Sequence, residues 1–198
     1  METIDVRLLT LDTIKKEKDA LLFALKKDDI KKAKQFAQTD DQLRSYGSSY
    51  FKNVFLPNTP IQYGENGKPY IKGEHFSITH SGDYIAFAKA NEEIGIDLEK
   101  IRKVNPRLKE YLKNAPLLKE EDLFRYWTLK EALAKCLGKG IDEDFKDLPC
   151  QEGKISYKNR FFFAKSIKMN DYYLAVCLET DEDFELNLSF ERRIRTYR

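Results

Sequence analysis

Twice along its 198 residues this chain runs through helical periodicity and then into a series of short extended segments. In the first round, Asp5 to Leu11 reads as an opening strand. Thr13 to Lys27 places Ile14, Leu21, Leu22 and Leu25 on one helical face. Asp28 to Gln38 and Asp40 to Phe55 continue the helical period, with aspartates available as caps. A loop from Leu56 to Pro69 carries Pro57, Pro60, Gly64 and Gly67. Short strands follow at Tyr70 to Lys72, Phe76 to Thr79, Tyr84 to Ala90 and Glu93 to Glu99. The second round puts helices at about Arg107 to Asn114 and Glu120 to Gly138. Strands then come at Lys154 to Tyr157, Arg160 to Lys168, Tyr172 to Glu179 and Phe184 to Phe190. This grammar predicts an α+β protein of two similar lobes, each with helices packed on an antiparallel sheet. The expected division is residues 1–94, residues 95–190, and a basic tail, residues 191–198, expected to be partly disordered and solvated.

Composition narrows the class. A 41% hydrophobic and 13% aromatic content supplies a core, while the 34% charged residues are mixed in sign and sum to only +2. That balance argues against sequence-independent nucleic-acid binding, and no recognised nucleic-acid-binding signature or Walker loop is present. No apolar run approaches a membrane span, and the first residues lack the pattern of a signal peptide. Cys136, Cys150 and Cys177 have neither metal nor redox-motif spacing. A cytoplasmic monomer without a membrane or nucleic-acid partner is the expectation.

Three segments can carry chemistry. In Gly95-Ile96-Asp97-Leu98-Glu99, strand alternation sends Ile96 and Leu98 to one side and Asp97 and Glu99 to the other. Two carboxylates side by side repel unless a cation sits between them, and a hard divalent ion takes oxygen ligands. On its own the segment reads first as an edge strand with a solvated acidic face, and second as a cation site. In the helix Phe124 to Gly138, Glu131 and Lys135 are four apart and share a face. They read as a surface ion pair, or as a third metal carboxylate with a phosphate contact. Phe76-Ser77-Ile78-Thr79-His80-Ser81-Gly82 runs a strand into small polar residues, either an ordinary hairpin turn or a phosphate-holding strand end.

Taken in order, Gly67-Lys68-Pro69, the FSITHSG segment, GIDLE and WTLKEALAK resemble the 4'-phosphopantetheinyl transferases of the surfactin-synthetase-activating type. The resemblance spans about residues 30 to 180. It implies a pseudo-twofold pair of lobes with coenzyme A between them. It also implies magnesium, with manganese as the alternative ion, on Asp97, Glu99 and Glu131. Lys135 would contact the phosphates. Thr79, His80, Lys68 and Arg44 would hold the 3'-phosphoadenosine end, with Lys32 or Lys31 adding a contact. Asp97, Glu131 and Lys135 form the implied catalytic set. The implied reaction moves the phosphopantetheine arm onto a serine of an apo acyl or peptidyl carrier protein, releasing adenosine 3',5'-bisphosphate. A non-catalytic module that binds coenzyme A or carriers is the alternative. Carrier proteins of this kind are acidic around their serine, so Lys109, Lys113, Lys119 and Arg125 form the expected basic face. Two departures stand out. Thr79 replaces a serine, and Tyr111-Leu112-Lys113-Asn114-Ala115-Pro116 lacks the glutamate proposed as base in the family. Glu110, Glu120, Glu121 or a metal-bound water are the substitutes.

Overall fold

A computed structural model describes residues 1–56, 60–64, 67–112, 115, 119, 121–141 and 143–196. Strand β1 (Glu2–Thr10) is followed directly by a set of short helices. Thr10 ends the strand by capping the next element, its hydroxyl accepting from the Thr13 amide at 3.0 Å. Helices α1 (Leu11–Lys16) and α2 (Lys18–Ala24) meet at Glu17, so the expected single helix is two. Helix α3 (Lys27–Ala33) stops short of the expected Gln38. Helix α4 (Thr39–Phe55) is long because Leu43, Tyr46, Gly47, Tyr50 and Phe51 recur at helical spacing and are all buried. The pair β2 (Gln62–Tyr63) and β3 (Pro69–Tyr70) forms a two-residue ladder. Three strands follow, β4 (His75–Ser81), β5 (Tyr84–Ala90) and β6 (Ile94–Lys100). Helix α5 (Pro106–Tyr111) is short, and α6 (Asp122–Cys136) is the main helix of the second half. A 3-10 turn at Glu143–Asp147 leads to β7 (Gly153–Tyr157), β8 (Arg160–Met169), β9 (Tyr172–Leu178) and β10 (Phe184–Phe190).

The strands form two four-stranded sheets, ordered β10-β1-β5-β4 and β6-β9-β8-β7. The second is antiparallel throughout. The first is mixed, because β10 runs parallel to β1 with Glu2 opposite Phe184 and Leu8 opposite Phe190. The last strand, read in sequence with the second half, thus completes the sheet that the first strand begins.

Side-chain alternation stacks these elements. Ile4, Val6 and Leu8 of β1 and Ala86 and Ala88 of β5 share one buried core with Ile94, Ile96 and Leu98 of β6 and Leu174, Val176 and Leu178 of β9. The opposite face of the first sheet, with Leu9, Ile85 and Phe87, takes Ile14, Leu21, Leu43 and Phe51 from the helices. The opposite face of the second, with Tyr173, Ala175, Cys177 and Phe162, takes Leu129, Ala132 and Leu133 of α6. Strand β9 is buried on both faces, which its unbroken apolar run Tyr172 to Leu178 requires. Within the tail, Arg192, Arg193 and Arg195 are exposed, as expected, but two residues beside them anchor it. Ile194 is buried in the helix-side core, Glu191 is buried and pairs with Arg7 at 3.0 Å, and the Arg195 amide donates to the Tyr50 hydroxyl.

Candidate active site

The cluster that matters lies where β4, β6 and α6 meet. Strand β6 sits unusually close to α6 at Gly95. A Cβ there would stand 2.0 Å from the Ala132 carbonyl oxygen and 2.4 Å from the Cys136 nitrogen. Only a residue without a side chain lets the strand lie against the helix backbone. Two residues on, on the same face, Asp97 meets the side chains of α6. Lys135 Nζ is 2.6 Å from Asp97 Oδ1 and 3.8 Å from Glu131 Oε2.

The other side of the cluster comes from β4. Ser77, Thr79 and Ser81 alternate onto the face that looks at β6. The Ser77 hydroxyl accepts from the Ile96 amide at 3.0 Å. Thr79 donates to Asp97 Oδ1 at 3.1 Å and lies 3.2 Å from Lys135 Nζ. Ser81 donates to Glu99 Oε2 at 3.0 Å and accepts from the Lys100 amide at 3.1 Å. These hydroxyls satisfy edge groups of β6 that would otherwise lack partners. The β4–β5 turn is fixed as well. Gly82 has φ +53°, and a Cβ there would meet the Tyr172 hydroxyl at 2.3 Å. That hydroxyl accepts from the Asp83 amide, and Arg44 Nε donates to the Gly82 carbonyl at 2.9 Å.

The electrostatics are those of crowded like charges. The Glu131 carboxyl is pushed up to about 8, by burial first and by the Asp97 charge second, with Lys135 opposing. Glu99 is raised for the same two reasons, opposed by the Ser81 hydrogen bond and by Arg102. Burial alone would lower the Lys135 ammonium, but Asp97 and Glu131 hold it above its ordinary value. His80 is lowered by desolvation and then by Arg44 and Lys135.

Asp97, Glu131, Lys135 and Thr79 are therefore brought together, with Glu99 beside them. His80 points to the opposite face of β4 from Thr79, toward Arg44, whose guanidinium pairs with Asp41 at 2.6 Å. Lys68 pairs with Glu93 at 3.1 Å and lines a cavity of about 290 Å³ shared with Ser77, Glu131, Lys135 and Lys139. Lys32 stands apart from this cluster, its ammonium 5.7 Å over the Tyr63 ring. A second cavity, of about 250 Å³, opens on the Glu99 side between Arg102, Lys103, Tyr111 and Trp127. Of the expected basic face, Lys109 and Lys119 are exposed, Arg125 pairs with Glu152 and donates to Ser166, and Lys113 lies outside the described residues. Glu121 pairs with Lys168 at 2.7 Å, Glu110 is exposed, and Glu120 lies outside the described residues. Sequence reasoning missed the roles of Ser77, Ser81 and Gly95. The hydroxyls at every second position of β4 were the available signal.

The residues fit a hard cation by their chemistry. Asp97 Oδ2 is buried with no hydrogen-bond partner among the described residues, and its neighbours are carboxylates. Among the described residues, no group of three or more His, Cys, Asp and Glu side chains is already gathered as a finished metal site. Lys135 supplies the positive charge that Asp97 meets.

The fold and this cluster define an α+β protein with a charged, half-buried cleft at the joint of two sheets. The sequence pattern of the 4'-phosphopantetheinyl transferase superfamily matches residues 93–177, which include β6 and α6. A 4'-phosphopantetheinyl transferase of Bacillus subtilis is 30% identical over 190 residues, covering 81% of this chain and 85% of that protein. The 4'-phosphopantetheinyl transferase gsp of Aneurinibacillus migulanus is 31% identical over 99 residues, 43% of this chain and 42% of that protein. The psf-1 transferase of Bacillus pumilus is 34% identical over 89 residues, 38% of each. The chain thus matches about two fifths of the length of the last two relatives. It belongs to the 4'-phosphopantetheinyl transferase family.

Proposed function

We propose that the chain transfers the 4'-phosphopantetheine group of coenzyme A to a serine of an apo acyl or peptidyl carrier protein. One observation supports this above the others. In a member of this family, Asp97, Glu131 and Lys135 converge from a strand and a helix, with Glu99 beside them.

Asp97, Glu99 and Glu131 would hold magnesium or manganese, which supplies charge neutralisation at the diphosphate. Lys135 adds a fixed positive charge for the same oxygens, and Thr79 orients both Lys135 and Asp97. Lys68 and Lys139 line the cavity on the Glu131 side and give the phosphates further cationic contacts. Arg44, held by Asp41 and the Gly82 carbonyl, and His80 take the 3'-phosphoadenosine end, with Lys32 adding a contact. The carrier serine enters from the Glu99 side, where Arg102 and Lys103 and the exposed Lys109 and Lys119 suit an acidic partner. The serine oxygen attacks the phosphorus that bears the pantetheine arm, and adenosine 3',5'-bisphosphate leaves.

The test is conversion of purified apo carrier to the holo form, read as a mass gain, with coenzyme A and magnesium. Wild type converts, while Asp97→Ala and Glu131→Ala lose at least about 100-fold in rate yet stay folded. Wild-type rates in both variants refute the site. The missing glutamate between 111 and 116 favours the second reading, a binding module. Coenzyme A binding with no mass gain in any carrier would select it.

A further inference from the structure

Among the described residues Lys130 is the one fully buried lysine, 2% exposed, and it is the residue before Glu131. A lysine is almost never buried this far without a partner, because its charge loses its water. Here no carboxylate forms an ion pair with it among the described residues. Its ammonium instead donates to two backbone carbonyls, Tyr111 at 2.7 Å and Lys146 at 2.7 Å, and lies 5.6 Å over the Phe145 ring.

Those carbonyls are not arbitrary. Tyr111 is the last residue of α5, and Lys146 is in the last turn of the 3-10 segment. Helix ends leave carbonyls without intrahelical partners and carry the negative end of the backbone dipole. One ammonium caps both. The two segments also meet through their rings, with Tyr111 and Phe145 5.8 Å apart and Trp127 within 5.9 Å of each. Tyr111 walls the cavity beside Glu99, and Phe145 walls the cavity beside Glu131 and Lys135.

We infer that Lys130 is a positioning residue that sets the walls of both cavities at once. It touches neither substrate. It holds α5 and the 3-10 turn against α6, so that the clefts on either side of the carboxylates have their shape before any ligand arrives. The kinetic part of this inference rests on the proposed transfer reaction, and the structural part does not.

The experiment uses the full chain with Lys130→Met, which keeps the length and removes the charge, and Lys130→Gln, which keeps a donor. Amide hydrogen exchange of the ligand-free protein is measured first. Both segments, 108–112 and 143–148, are expected to exchange about tenfold faster or more in the Met variant, with β6 and β9 unchanged. With carrier and coenzyme A, KM for both substrates is expected to rise together, about tenfold, with a smaller fall in kcat and the Gln variant intermediate. A lysine that merely stabilises the fold lowers the melting temperature and leaves both KM values alone. That result, or faster exchange in only one segment, overturns the inference. If neither variant folds, the wild type decides, because the two segments must open at one common rate and separate rates end the proposal. A wild type that converts no carrier sinks the proposed function, and the exchange data still judge Lys130.

Discussion

Gly95→Ala tests whether close backbone packing sets the geometry of the cluster. The new methyl would start 2.0 Å from the Ala132 oxygen, 2.4 Å from the Cys136 nitrogen and 3.0 Å from the Lys135 carbonyl carbon. All three are backbone atoms of α6, so no side chain can rotate aside. Ordinary van der Waals contact begins near 3.4 Å, so strand and helix must separate by about 3.4 − 2.0 = 1.4 Å. Asp97 rides on the strand, and Glu131 and Lys135 ride on the helix. The 2.6 Å contact between Lys135 and Asp97 opens with them. Overpacking of this kind costs about 1–3 kcal/mol. For a chain of this length that is a fall of roughly 3–10 °C in melting temperature. A displacement of about 1 Å at reacting groups costs on the order of 100-fold in rate. Thermal unfolding and carrier conversion measured on the same preparation check both. A variant that melts within 1 °C of wild type and transfers at the wild-type rate would refute the packing argument and the geometry drawn from it.

Two further outcomes are expected. Glu131 titrates near 8 in the folded chain against an ordinary 4.5, so the folded state keeps a proton that the unfolded state releases. Its contribution to stability is complete below about pH 4.5 and is lost as pH rises to about 8. In chelator, the melting temperature of wild type therefore falls across that window relative to Glu131→Gln, and magnesium restores it at pH 8. Parallel profiles for the two proteins would rule this out. Truncation after Phe190 removes buried Ile194 and the Glu191–Arg7 pair. It is expected to cost about 2–3 kcal/mol, read as a lower urea midpoint, and an unchanged midpoint would show that the tail merely decorates the surface.

Much of the fold was legible where period and burial agree. Alternation in Ile94 to Leu98 and the helical spacing in α4 led to the right elements, and β9 shows why an unbroken apolar strand lies between layers. The tertiary pairing was not legible. Nothing local in Phe184 to Phe190 says that it runs parallel to β1, because a strand's pattern fixes which face is buried and not which edge it joins. The anchors of the basic tail were hidden for a related reason. Its charges advertise solvent, while the two residues that anchor it, Glu191 and Ile194, are too widely spaced to form a pattern. For the site, residue types at motif spacing brought out Asp97, Glu131 and Lys135. Opposite directions for Thr79 and His80 follow from strand alternation and were open to view, yet the turn reading grouped them. Lys130 stands inside the WTLKEALAK motif, but its burial was not legible, since a lysine on an amphipathic helix reads as surface until its packing is known.

The cluster lies at a joint rather than inside a sheet, and the joint explains how the chain tolerates it. Strands β4 and β6 share no backbone ladder, although each is the edge of its own sheet. Ser77 and Ser81 take up amides of β6, and Thr79 and Ser81 hold the two carboxylates beside them. A ladder would have buried that edge and left no room for a ligand between the sheets. Hydroxyls satisfy the same donors one residue at a time and leave Glu99 partly exposed while Asp97 stays buried. Carboxylates gathered this way raise one another's proton affinity and weaken the fold at neutral pH, a penalty that Lys135 offsets in part and a bound cation would offset further. The seam of hydroxyls from β4 is thus the feature that holds Asp97 and Glu99 of β6 in place beside Glu131 and Lys135 of α6.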